Sequence, residues 1–191
     1  VSAVTIRYFT DPACPPDPAR MRLRWLYGDQ VAWELCMIGV RELRGEGWPD
    51  DAGSDATIHA CRAVVGTRLR WPDREDAMLR HLQVLAHAGE LLDDADTLEM
   101  AAARAGLPVA ELAAYCAEPD VEAALRADMA AAAGRACGTT EGSVADLTPR
   151  AEASTVDEVL RWAGMPLTAD EVAAICGRDV RVGDGFWVPA P

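Results

Sequence analysis

The sequence predicts an α/β protein in which a strand–helix–strand unit is followed by a run of helices inserted as a separate layer. Three observations predict it. Residues 3–9 alternate, with Val4, Ile6 and Tyr8 on one side and Thr5, Arg7 and Phe9 on the other. Residues 31–38 alternate again, with Val31, Trp33, Leu35 and Met37 on one face. Residues 57–136 then read as helix after helix with no strand between them, which sets a packed helical layer apart from the sheet.

The elements follow in order. The first strand ends in a loop, 11–18, that holds four prolines and two aspartates. Asp17-Pro18 opens a helix, because Asp caps and Pro fits the first helical position, where a missing N–H costs nothing. That helix runs to Tyr27 and stops at Gly28-Asp29. The second strand closes a βαβ unit, whose two strands the topology makes parallel. Residues 41–56 are rich in Gly, Asp and Glu and read as an exposed loop. Helices are expected at 57–71, 73–89, 97–105, 109–116 and 120–136, with starts at Thr57, Asp73, Asp96 and Pro119-Asp120. Turn-rich sequence follows, with short β-like pieces around Ser143–Leu147. Thr155-x-x-Glu158 and Thr168-x-x-Glu171 are capping-box patterns for two short helices, the first ended by Gly164-Met165-Pro166. Residues 180–188 read as a hairpin over Gly183-Asp184-Gly185.

Composition narrows the function. The chain has 191 residues, half of them hydrophobic, enough for a core, and a net charge of −13. Such an acidic chain repels nucleic acid and anionic membrane surfaces, so neither is an expected partner. All 18 basic residues are Arg, which with the abundant Ala reads as a coding bias. No apolar run is long enough to span a bilayer. Residues 155–188 have the outline of a minimal winged helix, but three Arg (161, 178, 181) stand against six acids (157, 158, 170, 171, 179, 184). A recognition helix is basic, so this appendix is read as a packing element or homodimer contact.

Six cysteines (14, 36, 61, 116, 137, 176) are scattered, with no Cys-x-x-Cys. This argues against a zinc site and a disulfide framework, and most are expected to be small buried hydrophobes. Unbonded cysteines, and no basic-then-apolar leader, point to a cytoplasmic location.

Cys14 is the exception in placement. It follows a strand and precedes a helix start, where the positive end of the helix dipole favours thiolate over thiol. Opposing this, Pro16 and Pro18 offer no N–H to an anion, and the charge of Asp17 works against thiolate formation. Position 17 is Asp, so no second thiol completes a Cys-x-x-Cys switch. Cys14 is therefore expected to act as a single nucleophile through mixed disulfides.

Four segments taken in order resemble the DsbA-like oxidoreductases, the thioredoxin-superfamily branch that also includes FrnE-like proteins and kappa-class transferase/isomerase relatives. They are Phe9-Thr10-Asp11-Pro12-Ala13-Cys14-Pro15, Arg24–Val31, Ala60-Cys61-Arg62-Ala63-Val64 and Glu122–Met129. The resemblance covers residues 3–137. It implies a thioredoxin-like fold with an inserted all-helical domain. Residues 1–56 would form its N-terminal βαβ part, 57–137 the insert, 138–163 its C-terminal part, and 164–191 a helix-turn-helix-like appendix. It also implies thiol–disulfide oxidoreductase activity, with Cys14 as nucleophile and Pro15 shaping its turn. Pro149, in Thr148-Pro149, would be the cis-proline that presents backbone to a thiol or disulfide substrate. No cofactor is implied, although a low-molecular-weight thiol could be co-substrate. The departure is the motif itself: Cys14-Pro15-Pro16-Asp17 stands where the family has Cys-Pro-x-Cys. Two alternatives follow. One is a kappa-like isomerase or transferase that binds a small thiol, a class that usually has Ser at the position of Cys14. The other is a non-catalytic interaction module that kept the fold.

Other chemistry-bearing residues read as structural. His59-x-Cys61 is two ligands without a site. His81 and His87 need not share a helix face. Cys36 reads as strand packing. Trp25, Tyr27 and Trp33 fit core spacing, and Trp48 and Trp71 precede prolines at element edges. Asp93, Asp94 and Asp96 read as a solvated loop and cap, not a cation site.

Overall fold

A computed structural model of the chain describes residues 4–14, 16–17, 20, 30–39, 56–133, 139–141, 180–183 and 186–189. Strand β1 spans Val4–Thr10 and β2 spans Val31–Met37, each within a residue of its predicted bounds. A third strand, β3, is Thr139–Glu141, and the sheet order is β2-β1-β3, so β1 is central. The strand pieces expected at 143–147 lie outside the described residues, as do the two capping-box helices and Trp25, Tyr27 and Trp48. Of the helix expected to start at Pro18, Arg20 is helical.

The alternation in β1 changes along its length. Ile6 and Tyr8 are buried and Thr5 and Arg7 exposed, but Phe9, Thr10 and Asp11 are all buried. The C-terminal end of β1 is therefore covered on both faces. Phe9 sits in a cluster with Cys36, Ile38 and Ala132, and this cluster buries the second face. In β2, Val31, Leu35 and Met37 are buried and Ala32 and Glu34 exposed, as the alternation predicts. Cys36 is core, as its place in a half-buried strand suggested.

Five helices follow: α1 Ala56–Arg70, α2 Glu75–His87, α3 Ala95–Arg104, α4 Val109–Tyr115 and α5 Pro119–Ala132. A short 3-10 turn, Pro72–Arg74, leads into α2. Helix α1 is the hub of this layer. Ile58, Ala60, Cys61, Ala63, Val64, Val65 and Thr67 leave it buried around most of its circumference. Met78, Leu79, Leu82 and Leu85 form the apolar stripe of α2, and Val121, Leu125, Met129 and Ala132 that of α5.

The helix starts differ by a residue or two from those expected, and the reason is physical. Asp94, not Asp96, occupies the N-cap of α3, and its side chain makes no capping hydrogen bond. The stops are sharper. Gly106 has φ +71° and ends α3, with Leu107 N–H donating to Ala102 O at 2.9 Å and Gly106 N–H to Ala103 O at 3.0 Å. Gly89 (φ 93°) ends α2 by the same Schellman pattern.

Strands β4, Val180–Gly183, and β5, Phe186–Pro189, pair antiparallel as the hairpin expected there. Gly183 opposes Phe186, which leaves Asp184-Gly185 as the connection.

The chain divides into two compact units. One comprises Val1–Arg7, Asp17–Glu34 and Thr140–Pro191; the other comprises Tyr8–Pro16 and Leu35–Thr139. Within the first, Arg7 pairs with Glu34 at 3.2 Å across the two strands, and the Arg20 guanidinium lies 5.6 Å from the Trp33 ring centre. The second holds the helical layer, the end of β1 and the Cys14 turn.

Candidate active site

The backbone after β1 is folded by Asp11. Its carbonyl accepts the Cys14 N–H at 2.9 Å, and its carboxylate Oδ1 accepts the Ala13 N–H at 2.6 Å. These two bonds define a turn over Asp11-Pro12-Ala13-Cys14. The residue types suit it, because Asp at the first position closes an Asx turn and Pro at the second presets φ. Asp11 is fully buried, while Ala13 is exposed and Cys14 partly so. Just before the turn, Thr10 O accepts the Ile38 N–H at 3.0 Å, which ties the exit of β1 to the exit of β2. The turn thus stands on a fixed base, with Cys14 partly exposed at its end. Asp11 is the residue that sequence reasoning undervalued. Its signal was there, in an Asp-Pro pair directly after a strand.

The expectation of unbonded cysteines is corrected at one position: Cys14 is in a disulfide. Spacing arguments miss such a bond, because Cys-x-x-Cys searches see only near neighbours. Cys36, Cys61 and Cys116 are thiols. Cys36 and Cys61 are buried, and the Cys61 thiol lies 3.9 Å from Ile38 O, which it faces as donor. Burial pushes the Cys116 thiol up to about 11, with Arg62 opposing it weakly. Thiolate is the reactive form, so Cys116 is held inert at neutral pH. Cys137 and Cys176 lie outside the described residues, as do Pro15 and Pro149.

His81 is buried, and burial, then Arg80 and Arg104, push its imidazole down to about 4. His87 Nδ1 meets Gln83 O at 3.0 Å, one turn back on α2. Arg70 lies over both Trp71 and Tyr115, at 5.3 Å from each ring centre. Asp93, Asp94 and Asp96 are exposed, and no group of three or more metal-ligating side chains occurs among the described residues.

A cavity of about 660 Å³ opens within the helical layer, walled by Met78, Leu98 and Leu112 with His59 and Cys116. At its edge Arg62 Nε and Nη2 both donate to Glu122 Oε2, at 3.1 and 3.0 Å. Cys14 is not part of its wall.

No protein-family model matches the chain, and no curated protein does. Solved structures do. The chain is similar to a provisionally assigned protein disulfide isomerase from Nitrosomonas europaea, with a TM-score of 0.62 and 16% identity over 85% of this chain and 96% of that one. It is also similar to ScsC from Proteus mirabilis in a transitional conformation, with a TM-score of 0.52 and 15% identity over 84% of this chain and 66% of that one. These likenesses show the fold alone: a thioredoxin-like, mixed α/β architecture.

Proposed function

We propose that the protein is a thiol–disulfide oxidoreductase whose exchanging sulfur is Cys14. The observation that carries this reading is that the one described cysteine in a disulfide is also the one on a partly exposed turn at the end of β1. The other described cysteines are buried or held protonated. Partial exposure lets an incoming thiolate reach the Cys14 sulfur, which access and leaving-group chemistry require. The name printed for the Nitrosomonas relative, a protein disulfide isomerase, supports the same class.

In the exchange, a substrate thiolate attacks Cys14 Sγ, and the mixed disulfide forms as the disulfide that holds Cys14 breaks and its partner sulfur leaves as thiolate. The substrate is a thiol- or disulfide-bearing protein or small molecule, and a low-molecular-weight thiol serves as co-substrate. Cys14 is the sulfur that bonds to substrate in this reading, and its own disulfide replaces the lone thiol expected from the sequence.

The test is the rate at which the protein, first oxidised, converts a reduced dithiol peptide to its disulfide. Cys14→Ser is expected to lower that rate at least tenfold. An unchanged rate in Cys14→Ser would place the chemistry elsewhere and refute the reading.

A further inference from the structure

We propose that the cavity in the helical layer is a binding site for a small amphipathic cation, an ammonium group carried on an apolar body. The site is separate from Cys14, which is not part of its wall, and does not depend on the exchange chemistry proposed there.

The whole wall lies in one compact unit, and all five helices contribute to it. The volume of about 660 Å³ falls within the roughly 300–1,000 Å³ usual for small-molecule sites. Side-chain size explains the space. Ala63 of α1, Ala102 of α3 and Ala113 of α4 line it, and a methyl group at each leaves unfilled the volume that larger side chains would occupy. Met78 and Leu112, both buried, give the wall its apolar surface together with Leu98.

The charges on the wall set the sign of the ligand. Three carboxylates, Glu99, Glu118 and Glu122, stand against one guanidinium, Arg62, a formal balance of −2 with His59 counted as uncharged. Arg62 and Glu122 are committed to each other, since both Arg62 Nε and Nη2 donate to Glu122 Oε2. Glu122 Oε1 is taken by Arg126 Nε at 2.9 Å. That leaves Glu99 and Glu118. Both are exposed, and neither side chain makes an ion pair or hydrogen bond among the described residues. Glu118 holds the N-cap position of α5, yet its carboxylate makes no capping bond. The partial positive charge of that helix end, about half a unit, is met by Asp120 and Glu122 in the first turn. Two carboxylates without partners at the open side of an apolar space attract an ammonium and repel a carboxylate or phosphate. The apolar body of the ligand then leaves water for the surface of Met78, Leu98 and Leu112.

The test uses the full chain and three probes that share one body: phenylbutylamine, phenylbutanol and phenylbutyrate. Calorimetry is expected to show the amine binding at least fivefold tighter than the alcohol, and the acid weakest. Saturating amine is expected to slow alkylation of Cys116 at least fivefold, because that thiol lines the cavity. Ala113→Trp, at an exposed position of the wall, fills the space and is expected to weaken the amine at least tenfold. Glu99→Gln combined with Glu118→Gln is expected to bring the amine to the affinity of the alcohol and to leave the alcohol unchanged. Equal affinities for the three probes, or a preference for phenylbutyrate, would overturn the assignment of a cation. Amine binding that leaves Cys116 alkylation unchanged, or that is unaffected by Ala113→Trp, would place the ligand elsewhere and overturn the site. Failure of every probe to bind would overturn the proposal outright, while disulfide exchange at Cys14 would stand or fall on its own test.

Discussion

Arg68 Nη1 donates to Asp128 Oδ2 at 2.9 Å, and the same carboxylate oxygen accepts the Met37 backbone N–H at 2.9 Å. Arg68 also donates to the Leu35 carbonyl, so one ion pair satisfies the backbone of alternate residues on β2. Among the described strands β2 is at an edge of the sheet, and an edge strand leaves such groups unpaired unless something covers them. Here α1 and α5 supply the cover. Burial works against the guanidinium's charge, but Asp128, with Glu75 at 3.8 Å, outweighs it and raises the Arg68 pKa.

Asp128→Ala removes the acceptor and leaves a half-buried guanidinium and an orphan N–H. Breaking such a pair costs on the order of 3 kcal/mol. Urea unfolding is expected to show that loss in Asp128→Ala, and a smaller one in Asp128→Asn, which keeps an oxygen for Met37.

His81 sets an acid limit on stability. Its folded pKa, about 4, lies below the unfolded value near 6.5, so the unfolded chain binds the proton first as pH falls. Its contribution is complete above about pH 6.5 and is lost progressively toward pH 4, by roughly 2–3 kcal/mol. Denaturant midpoints measured across that window should fall less steeply in His81→Gln than in wild type.

Asp11 is predicted to act on Cys14 through the turn. Asp11→Ala deletes the acceptor of the Ala13 N–H and should cost about 1 kcal/mol of stability. It should also change the rate at which dithiothreitol reduces Cys14 by severalfold, because the sulfur loses its fixed presentation. Asp11→Asn, which retains the amide oxygen, should restore most of the wild-type rate. Equal rates in all three proteins would limit Asp11 to a structural part.

Cys116 should be the slow thiol. With its pKa near 11, roughly one molecule in a thousand is thiolate at pH 8. Alkylation at Cys116 should rise about tenfold per pH unit between 8 and 10, as read by mass spectrometry after digestion.

Much of this architecture was legible because local chemistry dictates it. Ile6 and Tyr8, like Leu35 and Met37, announce their strands by period, and Gly89 and Gly106 stop helices because they alone take positive φ cheaply. The Cys14 turn was legible as a strand exit carrying Asp-Pro. What was hidden is long-range. Asp128 looks like one more acid on the polar side of α5, and its bond to Met37 joins residues 91 apart in sequence. The disulfide was hidden for the same reason, since periodicity carries no signal for a sulfur that finds its partner through the fold. The absence of Cys-x-x-Cys was read as absence of a disulfide, and that inference does not hold.

The most direct test equilibrates the protein in glutathione buffers of graded potential and labels Cys14 after acid quenching. The account predicts a smooth transition in the folded protein, in which Cys14 becomes alkylatable with a two-electron slope of about 30 mV per tenfold change in ratio. If Cys14 resists labelling at every potential until denaturant is added, its disulfide is a structural clasp and the exchange chemistry is contradicted.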